Sequence, residues 1–116
     1  MAVAMRPGQA LRLWHDVSVA LVREREPDLS VRQISVLITI YLEPQPHTVR
    51  ALAEKLGVTK PVITRALDTM GRQDLVSRKR DPADRRNVLV QRTVEGALFL
   101  ERLDDLVIAK AAALPA

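Results

Sequence analysis

Six basic side chains lie close together between residues 78 and 92, with two acidic residues among them. The basic residues are Arg78, Lys79, Arg80, Arg85, Arg86 and Arg92, and the acidic ones are Asp81 and Asp84. Guanidinium and ammonium groups bind the oxygens of phosphate groups through charge-assisted hydrogen bonds. A solvated hairpin is expected to mix both signs of charge, so this run favours a polyanion, for which nucleic acid is the usual case.

The positive charge of the chain is concentrated in its middle third. The 116 residues carry a formal net charge of +4. Between Thr48 and Arg92, eleven Lys and Arg residues stand against five Asp and Glu, whereas the residues before Thr48 are neutral and those after Arg92 are acidic. Charge alone leaves two interpretations open, a surface that binds a polyanion and a solvated basic face.

Two strands must position this basic run. The hydrophobic period changes to two residues over Leu75 to Arg80 and again over Asn87 to Arg92, and residues 81–86 between them contain a proline and two aspartates. Short alternating runs separated by such turn residues predict a β-hairpin.

Two predicted helices precede the hairpin, over residues 48–56 and 60–73. Ala53 is small enough for a close helix crossing, Gly57 supplies the turn, and Ile63 docks the second helix. This spacing predicts a helix-turn-helix. Because the hairpin follows directly, the three elements together predict a winged helix.

Three further helices are predicted. The first covers residues 7–25, and the second follows a capping box formed by Ser30 and Gln33 and ends before Pro44. The second is apolar nearly all round, which predicts a central buried helix. The last covers residues 93–113 and is capped by Thr93. Thr59 is the expected N-cap of the helix at 60–73.

The predicted fold class is mainly α with a small β-hairpin wing (α+β), a winged helix-turn-helix with helical elements at both ends. We expect one domain over residues 1–116. Its central lobe is predicted at residues 30–92, and its two terminal helices at 7–25 and 93–113.

Residues 52–103 resemble the MarR family of winged helix-turn-helix transcriptional regulators. The residues that carry the resemblance are Leu52-Ala53, Leu56-Gly57-Val58, Val62 to Asp68, and Asp74 to Arg78. Its most specific part is the wing signature Arg80-Asp81-Pro82-x-Asp84-Arg85-Arg86-x-Val88-x-Val90, followed by Thr93 and Gly96.

The resemblance implies a homodimeric repressor that binds double-stranded DNA. The helix at 60–73 would lie in the major groove, and the residues facing DNA would be Thr59, Lys60, Pro61, Thr64 and Arg65. Arg86 would enter the minor groove, braced by Asp84, while Arg80 and Arg85 contact the backbone. Two units related by a dyad would read a pseudo-palindrome with half-sites about one helical turn apart.

Two residues of the predicted recognition helix carry open interpretations. Arg65 either reads a guanine edge, because a guanidinium spans its two acceptors, or contacts a phosphate. Asp68 is expected to be a surface acid that pairs with a wing arginine.

Members of the family usually end in two long helices. Only one helix is predicted after the wing here, so the chain is expected to be a short, C-terminally truncated member. The predicted dimer interface then rests on Leu13, Trp14, Val17, Phe99, Leu103, Leu106 and Val107. The family also implies a small aromatic-acid effector. Arg12, Trp14 and His15 could line a residual pocket, but we favour Trp14 as core or interface and His15 as solvated.

Other function classes find little support. The chain has no cysteine and two isolated histidines, so no metal site or cofactor is expected. No nucleophile stands beside a base and no glycine-rich phosphate loop is present, so no enzyme is expected. No signal peptide or membrane segment is recognised, and the expected location is the cytoplasm, at the nucleoid. The alternative function is a winged-helix module that binds protein, such as an antirepressor or assembly factor.

Overall fold

The computed structural model describes residues 3–115 and contains five helices and three strands within them. The elements, in chain order, are α1 Gln9–Arg23, α2 Val31–Leu42, β1 His47–Thr48, α3 Val49–Leu56, α4 Lys60–Arg72, β2 Val76–Arg80, β3 Val88–Arg92 and α5 Val94–Ala112. This order confirms the predicted mainly helical winged helix-turn-helix. The predicted bounds differ from the observed ones by one or two residues at several ends.

The chain divides into two compact units. Unit 1 comprises the residues up to Asp28 and those from Glu101 onward, and unit 2 is Leu29–Leu100. The helix α5 begins in unit 2 and ends in unit 1. Within residues 3–115, no helix is both long and apolar enough to cross a membrane.

Unit 2 contains an antiparallel sheet of three strands in the order β1-β3-β2. The hairpin pairs Val76 with Arg92 and Arg80 with Val88. The strand β1, His47–Thr48, pairs with β3 at Val90 and Leu89. The prediction of a two-stranded hairpin was therefore incomplete. Two residues are too few to show an alternating pattern, so only pairing with β3 reveals this strand.

The helix ends of unit 2 follow the local sequence closely. The hydroxyl of Ser30 accepts a hydrogen bond from the amide of Gln33, whose side chain in turn accepts one from the Ser30 amide. Thr93 Oγ1 accepts a hydrogen bond from the amide of Gly96 at the start of α5. Both predicted caps are confirmed. Thr59 occupies the N-cap of α4, but its side chain makes no capping hydrogen bond, so the prediction there was only half right.

The core of unit 2 lies between α2, the helix pair and the inner face of the sheet. Val36, Leu37 and Ile40 of α2 are buried, as are Ile63 and Leu67 of α4. The prediction of a central buried helix holds for this face of α2 but not for its last turn, where Leu42 is 79% exposed. The pattern of α2 gives its periodicity, but how much of its circumference is covered depends on the elements packed around it.

Unit 1 joins α1 to the C-terminal part of α5. The side chain of Gln9 donates a hydrogen bond of 3.0 Å to the Pro115 carbonyl oxygen. Val17 is buried, whereas Leu11, Trp14 and Val22 on the same helix are exposed. A helix with one buried residue and three large exposed apolar side chains has an apolar face that the single chain leaves open to solvent.

Candidate nucleic-acid interface

The turn between α3 and α4 has the geometry that the sequence predicts. Ala53 and Ile63 are buried where the two helices meet. Gly57 ends α3 with a φ of 68°, in the left-handed region that a residue with a Cβ rarely adopts. Its amide and that of Val58 bond back to the last carbonyls of α3. These contacts fix the direction in which α4 leaves the turn.

The predicted DNA-facing residues of α4 all lie on its open face. The exposed side chains are Thr59, Lys60, Pro61, Thr64 and Arg65. They occupy the N-cap and the first turns of the helix, opposite the buried Ile63, Ala66, Leu67 and Met70. Because Thr59 makes no capping hydrogen bond, its hydroxyl is available to an external partner. The structure thus presents these five side chains on one surface.

The wing carries a paired arginine at its tip. Arg86 Nε lies 3.1 Å from Asp84 Oδ1 and its Nη2 lies 3.1 Å from Oδ2, a two-pronged contact. The Arg86 amide also donates to Asp84 Oδ1. These hydrogen bonds lower the pKa of Asp84 below its ordinary value and raise the pKa of Arg86. The Arg86 side chain is nevertheless 86% exposed, so the carboxylate orients the guanidinium without covering it.

Two more arginines shape the same turn. Arg80 Nη1 donates a hydrogen bond of 3.0 Å to the Arg85 carbonyl oxygen and holds the two sides of the wing together. Asp81 accepts from the amide of Ala83 and so stabilises the turn. Arg85 itself is exposed. The sequence predicts both arginines as contacts to the DNA backbone. Arg80 is partly engaged within the wing, whereas the Arg85 side chain is exposed.

An ion pair links α4 to the wing. Arg78 Nη2 lies 2.7 Å from Asp68 Oδ1, and both side chains are partly exposed. This confirms the expectation that Asp68 pairs with a wing arginine.

Arg92 has a different role from the one its position in the basic run indicates. Its guanidinium donates to the carbonyl oxygens of Ile40 and Tyr41 at 3.0 and 3.1 Å, and more weakly to that of Glu43. Its guanidinium carbon also lies 5.4 Å from the centre of the Tyr41 ring. Arg92 therefore caps the C-terminus of α2. Its Nε and Nη2 donors are thus engaged at the C-terminus of α2, a structural role that its position in the basic run does not indicate.

Sequence reasoning also missed the junction beside Arg92. The Tyr41 hydroxyl donates to the Thr93 carbonyl oxygen at 2.7 Å and accepts from the Thr93 amide at 3.0 Å. Thr93 Oγ1 donates to the carbonyl oxygen of Asp74. Gly96 packs so closely that a Cβ there would collide with the Leu75 carbonyl oxygen and the Tyr41 hydroxyl. The one available signal was the Thr-x-x-Gly spacing, which indicates where the junction lies but not which residues Thr93 and Gly96 contact.

The residues predicted for a dimer interface divide by burial. Leu13, Leu103 and Leu106 are half-buried, and Trp14 and Val107 are exposed. Val17 and Phe99 are 5% and 2% exposed in the single chain and so offer almost no surface to a partner. For these two the expectation needs revision, because amphipathic spacing cannot distinguish a core position from an interface position.

A small charged cluster lies on α1. His15 Nδ1 lies 2.9 Å from Asp16 Oδ1, and Arg12 Nη1 lies 3.8 Å from the same oxygen. The hydrogen bond with His15, followed by the charge of Arg12, lowers the pKa of Asp16. Trp14 is exposed and is therefore not a core residue, while His15 lies at the surface as favoured. Among residues 3–115, no group of three or more His, Asp or Glu side chains is arranged to hold a metal ion.

Comparisons with known proteins agree with this architecture. The organic hydroperoxide resistance transcriptional regulator of Bacillus subtilis (strain 168) is 36% identical over 64 residues, which are 55% of this chain and 44% of that protein. The chain thus matches less than half the length of this curated relative.

Solved structures extend the likeness over nearly the whole chain. The PcaV transcriptional regulator from Streptomyces coelicolor, in complex with its natural ligand, is 26% identical with a TM-score of 0.65, covering all of this chain and 87% of that one. The transcriptional repressor CouR, bound to a 23-mer DNA duplex, has a TM-score of 0.72 at 24% identity, covering 95% and 83%. A family model described as the MarR family matches residues 29–88, just over half of the chain. The chain therefore belongs to the MarR family, whose members are winged-helix transcriptional regulators.

Proposed function

We propose that this chain is a sequence-specific regulator of transcription that binds double-stranded DNA as a homodimer and represses by occupying its operator. The observation that carries the proposal is the two-pronged pair of Asp84 and Arg86 at the exposed wing tip. A guanidinium that is held in one orientation yet open to solvent is suited to the narrow minor groove, whose negative potential attracts it. CouR, which shares the fold, is described bound to a DNA duplex.

The exposed face of α4 complements the wing. Thr59, Lys60, Pro61, Thr64 and Arg65 lie on one side of this helix, and its other side is buried. A helix of this kind enters the major groove with its N-terminal residues toward the base edges. The wing arginines Arg80 and Arg85 would then follow the phosphate backbone beside it.

The open apolar face of α1 supports the homodimer. Leu11, Trp14 and Val22 lie on the same side of α1, because their spacings of three and eleven residues bring them to similar angles. Val107 and Ile108 of α5 in the same unit are exposed too. Large apolar side chains gathered in this way indicate a protein interface. Dimerisation through unit 1 would give two wings related by a dyad, and hence a pseudo-palindromic operator with half-sites about one helical turn apart.

Titration of labelled duplexes tests the proposal. One duplex comes from the DNA upstream of the protein's own coding sequence, and a scrambled duplex serves as the control. We expect tighter binding to the first, with Arg86→Ala costing roughly 1–3 kcal/mol of binding free energy. Failure of the folded protein to bind either duplex at low salt would contradict the proposal and favour the protein-interaction module.

Two finer expectations belong to the same proposal. A regulator of this kind acts at the nucleoid, in the cytoplasm. PcaV is described with a natural ligand. An aromatic-acid effector remains a prediction for this chain, which benzoate added to the protein–DNA complex would test through release of the duplex.

A further inference from the structure

A small polar cavity lies beside the recognition helix α4, on the flank that faces the start of α2. Its volume is about 140 Å³, and it is lined by Ser30, Arg32, Gln33, Val62, Arg65, Ala66 and Thr69. Liquid water occupies about 30 Å³ per molecule, so the cavity has room for a few waters or one phosphate group. The sequence analysis did not single out Arg32.

The charge of the cavity is positive and uncompensated. None of its lining residues is acidic, and within residues 3–115 neither Arg32 nor Arg65 forms an ion pair. A third arginine lies at the edge, because Arg72 Nη2 donates to Thr69 Oγ1 at 3.4 Å. Arginines that repel one another without a neighbouring carboxylate form a ready binding site for an anion.

The arginine side chains of the cavity supply donors, while two amides at the start of α2 are already engaged. The amide of Gln33 is already bonded to Ser30 Oγ, and the amide of Ile34 to the Ser30 carbonyl oxygen. The Thr69 hydroxyl donates to the Arg65 carbonyl oxygen. The guanidinium groups of Arg32 and Arg65 line the cavity and can receive a ligand with several acceptor oxygens.

We infer that this cavity receives one backbone phosphate of the bound duplex, held jointly by Arg32 and Arg65. The inference rests on the proposed DNA binding. Arg65 lies on the open face of α4 and also lines the cavity. With α4 in the major groove, Arg65 would therefore lie at the edge of the groove, next to the phosphate backbone of one DNA strand. Arg32, at the start of α2, lines the same cavity, so both guanidinium groups can reach one phosphate of that DNA strand. Arg65 accordingly anchors the phosphate and does not read a guanine edge, and Arg32 is a further DNA-contacting residue.

The test measures affinity for the upstream and the scrambled duplex over a range of salt concentrations. The variants are Arg32→Ala, Arg65→Ala and the double variant, with Arg23→Ala as the matched control because it removes an exposed arginine from unit 1. Each single variant is expected to weaken binding to both duplexes by about two- to fivefold. Because each protomer of the homodimer would hold one shared phosphate, the double variant should reduce the slope of log affinity against log salt by about two, and not four.

Several outcomes would overturn the inference. If Arg65→Ala weakened only the upstream duplex and relaxed its preference at one base pair, Arg65 would be a base reader. If Arg32→Ala kept wild-type affinity and slope, as Arg23→Ala should, the cavity would hold no phosphate while the proposed function stood. If the wild type bound neither duplex, both would fail together. Arg32→Lys should recover part of the lost affinity, and circular dichroism verifies that every variant is folded.

Discussion

Arg78 on the first strand of the wing lies 2.7 Å from the carboxylate of Asp68 on the recognition helix. In our proposal the exposed face of α4 and the tip of the wing face DNA. An ion pair between two residues outside these surfaces thus joins the helix to the wing. Because a tight turn alone connects α4 to β2, this pair restrains the angle between helix and wing. Such a restraint lowers the ordering cost that DNA binding would otherwise carry.

A double-mutant cycle on Asp68→Ala and Arg78→Ala measures this pair. Both side chains are partly exposed, so the expected coupling in the free energy of unfolding is about 0.2–1 kcal/mol and should shrink as salt is added. Urea unfolding of the four proteins provides the measurement. A coupling of zero at low salt would show that the pair does not persist in solution.

Removal of Arg86 should raise the pKa of Asp84. The hydrogen bonds from Arg86 hold that pKa below the ordinary 3.8, so the carboxylate is ionised and braced at neutral pH. The stabilisation is fully present above 3.8 and is lost as the pH falls through the depressed value, where Asp84 takes up a proton. In Arg86→Ala the NMR titration midpoint of the Asp84 carboxyl should move up toward 3.8.

Asp16 provides the internal control for that titration. Its pKa is also lowered, but by His15 first and then by Arg12. The Arg86→Ala substitution should therefore leave the Asp16 midpoint unchanged. An unchanged Asp84 midpoint in the same spectra would mean that Arg86 does not pair with it in solution.

Two glycine substitutions should act in opposite directions. At Gly96 a methyl group would collide with the Leu75 carbonyl oxygen, a backbone atom that cannot move aside easily, and with the Tyr41 hydroxyl. We expect Gly96→Ala to lower the free energy of unfolding by about 1–3 kcal/mol. At Gly71 the nearest atom is 4.0 Å away, so Gly71→Ala should raise it by about 0.5–1 kcal/mol through helix propensity. Urea unfolding compares both; a Gly96→Ala variant with unchanged or raised free energy of unfolding would contradict the packing at Gly96.

Replacement of Arg92 should affect folding before it affects DNA binding. Arg92→Ala removes the hydrogen bonds to the Ile40 and Tyr41 carbonyl oxygens, and we expect a loss of about 1.5–3 kcal/mol in the free energy of unfolding. Thermal unfolding gives this value. At a temperature where the variant is folded, the slope of its DNA affinity against salt should equal that of the wild type. A reduced slope would show that Arg92 contacts a phosphate of the DNA.

Disruption of the apolar face of α1 should separate the dimer. Trp14 is 63% exposed, so Trp14→Glu places a charge on this face at little cost to the single chain. In sedimentation equilibrium the variant should shift toward monomer, and affinity for the upstream duplex should fall because the two half-sites are no longer bound together. Arg23→Gln, near the end of the same helix, changes the net charge by the same amount and is the charge-matched control. A dimeric Trp14→Glu variant would place the interface elsewhere.

The sequence by itself determined most features that depend on local spacing, although not the side-chain hydrogen bond expected at the Thr59 cap. The capping box of Ser30 and Gln33, the left-handed turn at Gly57 and the hairpin of the wing each arise from residues a few positions apart. Backbone geometry fixes how such residues lie relative to one another, so their pattern can be interpreted without knowledge of the tertiary structure. The open face of α4 was predictable for the same reason, since its buried residues recur at helical spacing.

The tertiary structure decided which side chains remain free to act. Arg92 and Arg86 are equivalent in a basic run, yet the first is occupied by the end of α2 and the second points outward. Arg32 joins Arg65 in one cavity although 32 residues separate them. These outcomes depend on how elements far apart in the chain pack together. Residue spacing cannot encode them, because long-range contacts are set by the shape of the whole core and not by the backbone between neighbours.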